Sequence, residues 1–236
     1  MSGKDTRYHQ IAEYYRRLIE TKELPEGTKM PTEEQLCTMF QVSRITARQA
    51  MSELAQSGFI ERVQGKGSFV KVKKMDMQLN HLQGFTEEMR AKGMVASSRV
   101  LASAVVPCDL QVAEHLKLEE AVPVFSVERL RLADDEPVAV EHVYIPFYLC
   151  PELEQSELGG SLYQMLSKSG LKVARATQDI AAGFSPRAIC ELLKIKQTMP
   201  TLNIERVTFL ENGTPLEYVL SAYRSDRYTF HVEMAR

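Results

Sequence analysis

Apolar positions recur every three or four residues in three blocks at the start of the chain, and in shorter two-residue alternations over much of the rest. In the first block Tyr8, Ile11, Ala12, Tyr15, Leu18 and Ile19 form a helical stripe, which Asp5 or Thr6 can cap and Leu24-Pro25-Glu26-Gly27 ends. The second begins at Pro31, with Thr32 and Gln35 at capping-box spacing and Leu36, Met39 and Phe40 facing inward. Only Gln41 and Val42 separate it from the third, Ser43 to Gly58. There Ser43 is the N-cap, Ala47, Ala50, Met51 and Leu54 form the apolar face, and Gly58 is the stop.

The polar face of the third helix carries Arg44, Thr46, Arg48, Gln49 and Ser52, crowded toward its N-terminus. A helix laid into a DNA major groove makes its base and phosphate contacts from that end. A solvated helix in a small bundle would look similar on this segment alone. Phe59 to Val72 then reads as two short strands joined at Gln64-Gly65-Lys66-Gly67, a tight basic hairpin. Helix, glycine stop and Gly-Lys-Gly hairpin in succession predict a winged helix-turn-helix, with the helix in the major groove and the wing on neighbouring backbone or minor groove.

Past residue 75 the pattern changes. A short helix begins in Leu82 to Met89 and closes at Lys92-Gly93. Strand-like runs follow at Ser98 to Val106, Val122 to Leu132 and around Val173 to Ala181, with helices at Leu110 to Leu118, Ser161 to Ser169 and Pro186 to Leu193. Two hairpins stand out: Phe125 to Leu132 returning through Ala133-Asp134-Asp135-Glu136 into Pro137 to Ile145, and Thr201 to Leu210 returning through Asn212-Gly213 into Pro215 to Tyr223. Both open with Glu-Arg, at Glu128-Arg129 and Glu205-Arg206, a hint of internal duplication. Hairpin-joined strands predict an antiparallel sheet with helices on one face, hence an α+β class. The domains expected are 1–74, a winged helix-turn-helix, a linker at 75–80, and 81–236 as a second domain.

Charge sharpens the division. The whole chain of 236 residues has a net charge of −2, but residues 1–74 hold 13 Lys/Arg against 9 Asp/Glu while the remainder holds 16 against 22. The basic part is where phosphates should bind. No apolar run approaches a membrane span of roughly 18 residues, and the N-terminus lacks the apolar centre of a signal peptide, so a cytoplasmic protein without membrane contact is expected. Cys37, Cys108, Cys150 and Cys190 form no CxxC pair and the five histidines show no ligand spacing, which predicts free thiols, no metal and no cofactor.

The stretch MPTEEQLCTMFQVSRITARQAMSELAQSGFIERVQGKGSFV resembles, almost position by position, the N-terminal domain of the GntR family of bacterial transcription regulators, a likeness covering about residues 6–72. The resemblance implies that Arg44, Thr46 and Arg48, with Gln49 beside them, meet operator DNA and that Gly65, Lys66 and Gly67 carry the wing contact. Family members commonly hold arginine where this chain has Glu34, and an acid cannot pair with phosphate or guanine O6/N7. Over about residues 80–232, Gly84-Phe85-Thr86-Glu87, Glu128-Arg129-Leu130-Arg131, Pro137-Val138-Ala139-Val140-Glu141, Ser161-Leu162-Tyr163 and Pro215-Leu216-Glu217-Tyr218 are similar to the HutC-subfamily effector domain, called UTRA, whose fold resembles chorismate lyase.

Arg129 and Arg131 lie two apart on a strand and so share a sheet face, where two guanidinium forks suit phosphate or carboxylate. Weakly paired surface arginines are the bland alternative. The resemblance favours the pocket, and its residues are most like those of N-acetylglucosamine-utilisation repressors, which respond to amino-sugar phosphates. It implies that Arg129, Arg131, Thr86, Ser161 and Tyr163 hold the anion and that Glu141 and Glu217 bond sugar hydroxyls or an amine, with Phe85 and Tyr223 lining the pocket. Removing both arginines is then expected to leave folding nearly intact. The function expected is an effector-responsive transcription regulator, a repressor of a catabolic operon that binds a palindromic operator as a homodimer, since one winged helix reads too few base pairs. A urocanate-like carboxylate or a phosphonate is the alternative effector. An enzyme acting on a sugar phosphate is the alternative class, but no nucleophile-base pair supports it.

Overall fold

In the computed structural model, residues 6–71, 74–155 and 158–234 are described, apart from the side chains of residues 154 and 155. Ser43 Oγ accepts from the Thr46 amide at 3.2 Å and starts helix α3, Arg44–Gln56. Thr32 and Gln35 close their capping box at the start of α2, Glu33–Phe40. Helix α1, Arg7–Glu20, starts after Thr6, whose side chain makes no capping bond, and Asp5 lies outside the described residues. The inward stripes of the three helices meet in one core of Ile11, Ala12, Tyr15, Leu36, Ala47, Ala50, Met51 and Leu54. Ile60 and Val70, from strands β1 (Ile60–Val63) and β2 (Gly67–Val70), close it, so the hairpin is anchored at its base.

The chain divides into two compact units, residues 1–73 and 74–236. The stretch expected as linker, 75–80, is corrected in part: Met75–Gln78 form strand β3, which pairs in parallel with β10, Tyr228–His231, near the other end of the chain. Neither four-residue strand has a turn signal, and each is stabilised by a partner some 150 residues away, which no local pattern reveals. Val72 and Lys73 lie outside the described residues.

The second unit is built on one antiparallel sheet of β4 (Ala96–Pro107), β5 (Pro123–Ala133), β6 (Glu136–Pro146), β7 (Val173–Gly183), β8 (Thr201–Leu210) and β9 (Pro215–Arg224), in the order β4-β5-β6-β9-β8-β7. Both hairpins read from the sequence are present, β5 with β6 and β8 with β9. The sheet also shows the duplication hinted at by the two Glu-Arg pairs. Residues 96–146 run strand, helix α5 (Leu110–Leu116), strand, strand, and residues 173–224 repeat this with α7 (Arg187–Leu192), the halves meeting where β6 pairs with β9. Helix α5 packs on Val207, Phe209 and Tyr218 of the second half, and Ile189 and Leu192 of α7 pack beside Leu130 and Val140 of the first.

Helices were expected on one face, and this is corrected. On the other face α6 (Leu162–Lys168) buries Leu162 and Leu166 against Phe125, Val127, Val143 and Ile145, while α4 (Phe85–Ala91) buries Phe85 and Met89 against Ala139, Ile204 and Tyr223. Alternation along β5 sends Val124 and Leu130 to one layer and Phe125 and Val127 to the other, so both faces are apolar. The central strands therefore bury residues on both faces, and the sheet is the middle of three layers.

Candidate functional site

On α3, Arg44, Arg48 and Gln49 are exposed and Thr46 is half-buried, while Ala47 and Ala50 behind them are fully buried. The helix is thus fixed to the core by small residues, with its forked and amide side chains outward. The wing tip is a tight turn, with Lys66 N–H donating to the Val63 carbonyl at 3.0 Å and with Gly65 and Gly67 at φ of +73° and +117°. Those left-handed angles require glycine. Lys66 is exposed between them. Two basic residues that the sequence reading passed over join this face: Lys29, which bridges Phe69 and whose Cε lies 3.1 Å from where a Cβ on Gly67 would sit, and Arg62, which donates to Ser52 on α3 at 3.0 Å. Glu34 is exposed on α2.

In the second unit a cavity of about 50 Å³ is lined by Phe85, Thr86, Arg129, Arg131, Glu141, Ser161, Tyr163, Glu217 and Tyr223, all nine of the effector residues inferred from sequence. They come from α4, α6 and the pocket face of β5, β6 and β9. Gly84 lets the two helices approach, since a Cβ there would lie 3.2 Å from the Tyr163 ring.

The internal geometry corrects one expectation. Arg129 and Arg131 do not stand unpaired: both bind Glu141, which faces Arg129 across the β5–β6 ladder. Arg129 Nη2 donates to Glu141 Oε1 at 2.5 Å, and Arg131 donates from Nε to Oε2 and from Nη2 to Oε1, each at 3.0 Å. Arg131 also donates to Ser98 Oγ at 2.7 Å, and its guanidinium carbon lies 5.1 Å from the centre of the Phe85 ring. Arg129 is 0% exposed, so these arginines are structural partners of Glu141 as well as cavity walls. Three of the acceptor positions of Glu141 are thus taken by the arginines. Two cations share one anion here, while burial pushes the neighbouring Glu217 toward its neutral form, and among the described residues the buried Nε of Arg129 has no hydrogen-bond partner.

The chain matches the model for bacterial regulatory proteins of the gntR family over residues 7–70 and that for the UTRA domain over residues 91–229. It is 35% identical over 224 residues to the HTH-type transcriptional repressor NagR of Bacillus subtilis, covering 94% of this chain and 92% of that protein. It is 31% identical to the mannosyl-D-glycerate transport/metabolism system repressor MngR of Escherichia coli, covering 97% and 95%. Among solved structures it superposes on PhnF from Mycobacterium smegmatis with a TM-score of 0.73 at 27% identity, covering 95% and 98%. The chain belongs to the gntR family of regulators and carries a UTRA domain. It is a DNA-binding transcription regulator, of a family that is regulatory and not enzymatic.

Electrostatics set the cavity of this gntR regulator apart from an ordinary polar cleft. Burial works to raise the Glu141 pKa, but the charges and hydrogen bonds of Arg131 and Arg129 outweigh it and hold the carboxyl at about 2. Burial lowers the Arg129 pKa, with Glu141 opposing the shift. Glu217 is the opposite case: burial raises its pKa, against the donated bonds of Tyr163 at 2.7 Å and Thr208 at 2.8 Å to Oε1. Glu88, which the sequence reading did not select, is pushed up to about 7 by burial, with Lys92 and Arg206 opposing. Arg206 was missed as a cavity residue too, although its Glu-Arg pair had been noticed. On α4, Glu88 sits three positions after Phe85, one helical turn along the same face, and that spacing was the available signal.

Proposed function

We propose that this protein is a repressor whose operator affinity is modulated by a small phosphorylated effector, of the amino-sugar phosphate class, bound in the Arg129–Arg131 cavity. The observation that carries the reading is the two-to-one balance of buried arginines to Glu141, with the other buried carboxyl, Glu217, pushed toward its neutral form by burial and with Arg129 Nε unpartnered at the wall. Such a centre attracts one anion, and the hydroxyls of Ser161 and Thr86 add donors of the kind phosphate accepts, while that of Tyr163 already donates to Glu217. NagR and MngR, to which the chain is similar, are named as repressors, and MngR as one of a sugar-derivative system. Arg44, Thr46, Arg48 and Gln49 enter the major groove, and Gly65, Lys66 and Gly67 meet the flanking backbone. The regulator acts in the cytoplasm as a homodimer on a palindromic operator, which doubles the few bases that one recognition helix reads.

A thermal-shift series of sugar phosphates against organic acids tests the ligand class, paired with release of the protein from its operator DNA. A ligand at 100 times its dissociation constant stabilises by about 2.7 kcal/mol. A sugar phosphate should raise the melting temperature and weaken DNA binding over the same concentration range. If only carboxylates such as urocanate do so, the phosphate assignment is wrong.

A further inference from the structure

The outward face of α3 carries one side chain that can neither donate nor accept a hydrogen bond. Ile45 is 62% exposed, and it belongs neither to the core of the first unit nor to the partly buried residues packed against that core. At about 100° per residue it lies almost diametrically opposite the buried face of Ala47, Ala50, Met51 and Leu54. Gln49, one turn further on, and Ser52, two turns on, share its stripe, with exposed Arg48 beside them. Ser52 Oγ accepts from Arg62 Nη2 of β1 at 3.0 Å, so the far end of the stripe is tied to the wing hairpin while Ile45 stands at the end next to the Ser43 cap.

Single exposed apolar residues are ordinary on protein surfaces. What distinguishes Ile45 is its position among groups suited to DNA. A β-branched residue is a weaker helix former than alanine, and at this exposure it gains little from burial, so nothing in the free protein favours isoleucine there. The major groove supplies a reason. Base edges in it present hydrogen-bond acceptors and amino donors, and their apolar feature is the C5 methyl group of thymine. Arg48 and Gln49 suit guanine and adenine through paired hydrogen bonds, whereas a branched aliphatic side chain gains affinity by excluding water from a methyl group. With the stripe turned toward the bases, Ile45 at its centre faces the floor of the groove, where that methyl group stands, and not the sugar-phosphate walls.

We propose that Ile45 is a specificity-determining residue that packs on the C5 methyl group of a thymine in the operator, beside the bases that Arg48 and Gln49 reach. This rests on the reading of α3 as the helix that enters the major groove.

The test uses the full chain and a duplex that it selects from a random-sequence pool. Each thymine of that duplex is replaced in turn by deoxyuridine, which removes the methyl group and leaves every hydrogen-bonding group in place. Burying one such group is equivalent to about fourfold in affinity, so at a defined thymine the uridine duplex should bind wild type about fourfold more weakly. Ile45→Ala should bind the thymine duplex about three- to tenfold more weakly than wild type does, and its thymine-to-uridine affinity ratio at that position should fall to about one. Ile45→Val, which keeps the branch, should retain most of the ratio. Because each ratio is taken within one variant, any difference in folded fraction cancels. The proposal is overturned if no thymine can be found whose methyl group changes wild-type affinity by more than about twofold, or if Ile45→Ala keeps the wild-type ratio. Arg48→Ala and Gln49→Ala separate the two levels of failure. If either lowers the preference for the selected duplex over random DNA while Ile45→Ala keeps the wild-type ratio, only the role of Ile45 is lost; if neither does, the placement of α3 in the groove is lost with it.

Discussion

Arg48 and Arg129 are the same side chain in opposite settings. Arg48 projects from a helix whose buried face is alanine, methionine and leucine, it is exposed, and it makes no ion pair among the described residues. Arg129 is wholly buried, shares Glu141 with Arg131, and lines a cavity. An exposed arginine costs little when unpaired and can wait for a polyanion, whose phosphates displace only water and counterions. A buried one must be compensated within the protein, and an effector can use only what that compensation leaves over. The DNA face therefore acts through exposed charge, and the cavity through an imbalance between buried charges.

The most damaging way to test this contrast is to remove the compensation. Glu141→Gln leaves two buried guanidinium groups with no anion and should destabilise the second unit by about 3–5 kcal/mol, read as a drop in its urea midpoint. Added phosphate should restore more stability to the variant than it adds to wild type, because it replaces the missing charge. Loss below about 1 kcal/mol would mean that the arginines are solvated and that the cavity holds no charge imbalance. Removing both arginines would likewise strand Glu141, which reverses the expectation that they can be deleted without effect on folding.

Glu88 gives a smaller effect with a defined sign. Its folded-state pKa of about 7 lies above that of an unfolded glutamate, with Lys92, Arg206, Tyr223 and Tyr228 as the ionisable groups acting on it or acted on by it. A raised carboxyl pKa contributes stability that is present below the unfolded value and is lost as pH rises through the folded one. Wild type should therefore lose about 3 kcal/mol from this group between about pH 4.5 and pH 8, and Glu88→Gln should not. The melting-temperature advantage of Glu88→Gln should grow over that range. A constant difference would place Glu88 in water.

The contrast also explains which parts were legible in advance. The recognition helix and wing show in the sequence because their cues are local: Ser43 at the cap, Ala47 to Leu54 at helical spacing, and glycines at the two left-handed positions of the tip. Both hairpins were legible for the same reason, their turns being marked by Asp134-Asp135 and Asn212-Gly213. Strands β3 and β10 were not, since each depends on a partner far along the chain. In the cavity, the motifs brought the right residues together, but pairing of Arg129 and Arg131 with Glu141 depends on cross-strand register and burial, and neither can be read from residue type. Arg206 was overlooked because nothing local separates it from a surface arginine. Its place on the cavity wall follows from the face of β8 that it occupies, which cross-strand register sets.

On the DNA side the effects are smaller and depend on salt. Arg48→Ala should cost about 1–3 kcal/mol against the operator and much less against random DNA if the side chain reads a base edge, as measured by anisotropy titrations on both. Equal losses on the two would make Arg48 a backbone contact.

Lys66 should show the smallest effect. Held at the tip by Gly65 and Gly67, its ammonium is a point charge suited to one phosphate and carries no base information. Replacing it should change affinity for all sequences alike, and most at low salt, since one fewer counterion is released on binding. Lys66→Ala should therefore reduce the slope of log affinity against log salt concentration by about 0.9. Stability should not change, because the side chain is exposed and the Val63–Lys66 turn is made by backbone groups. An unchanged slope would take the wing tip out of the interface, and Lys29, beside Gly67, would then be the basic residue to replace next.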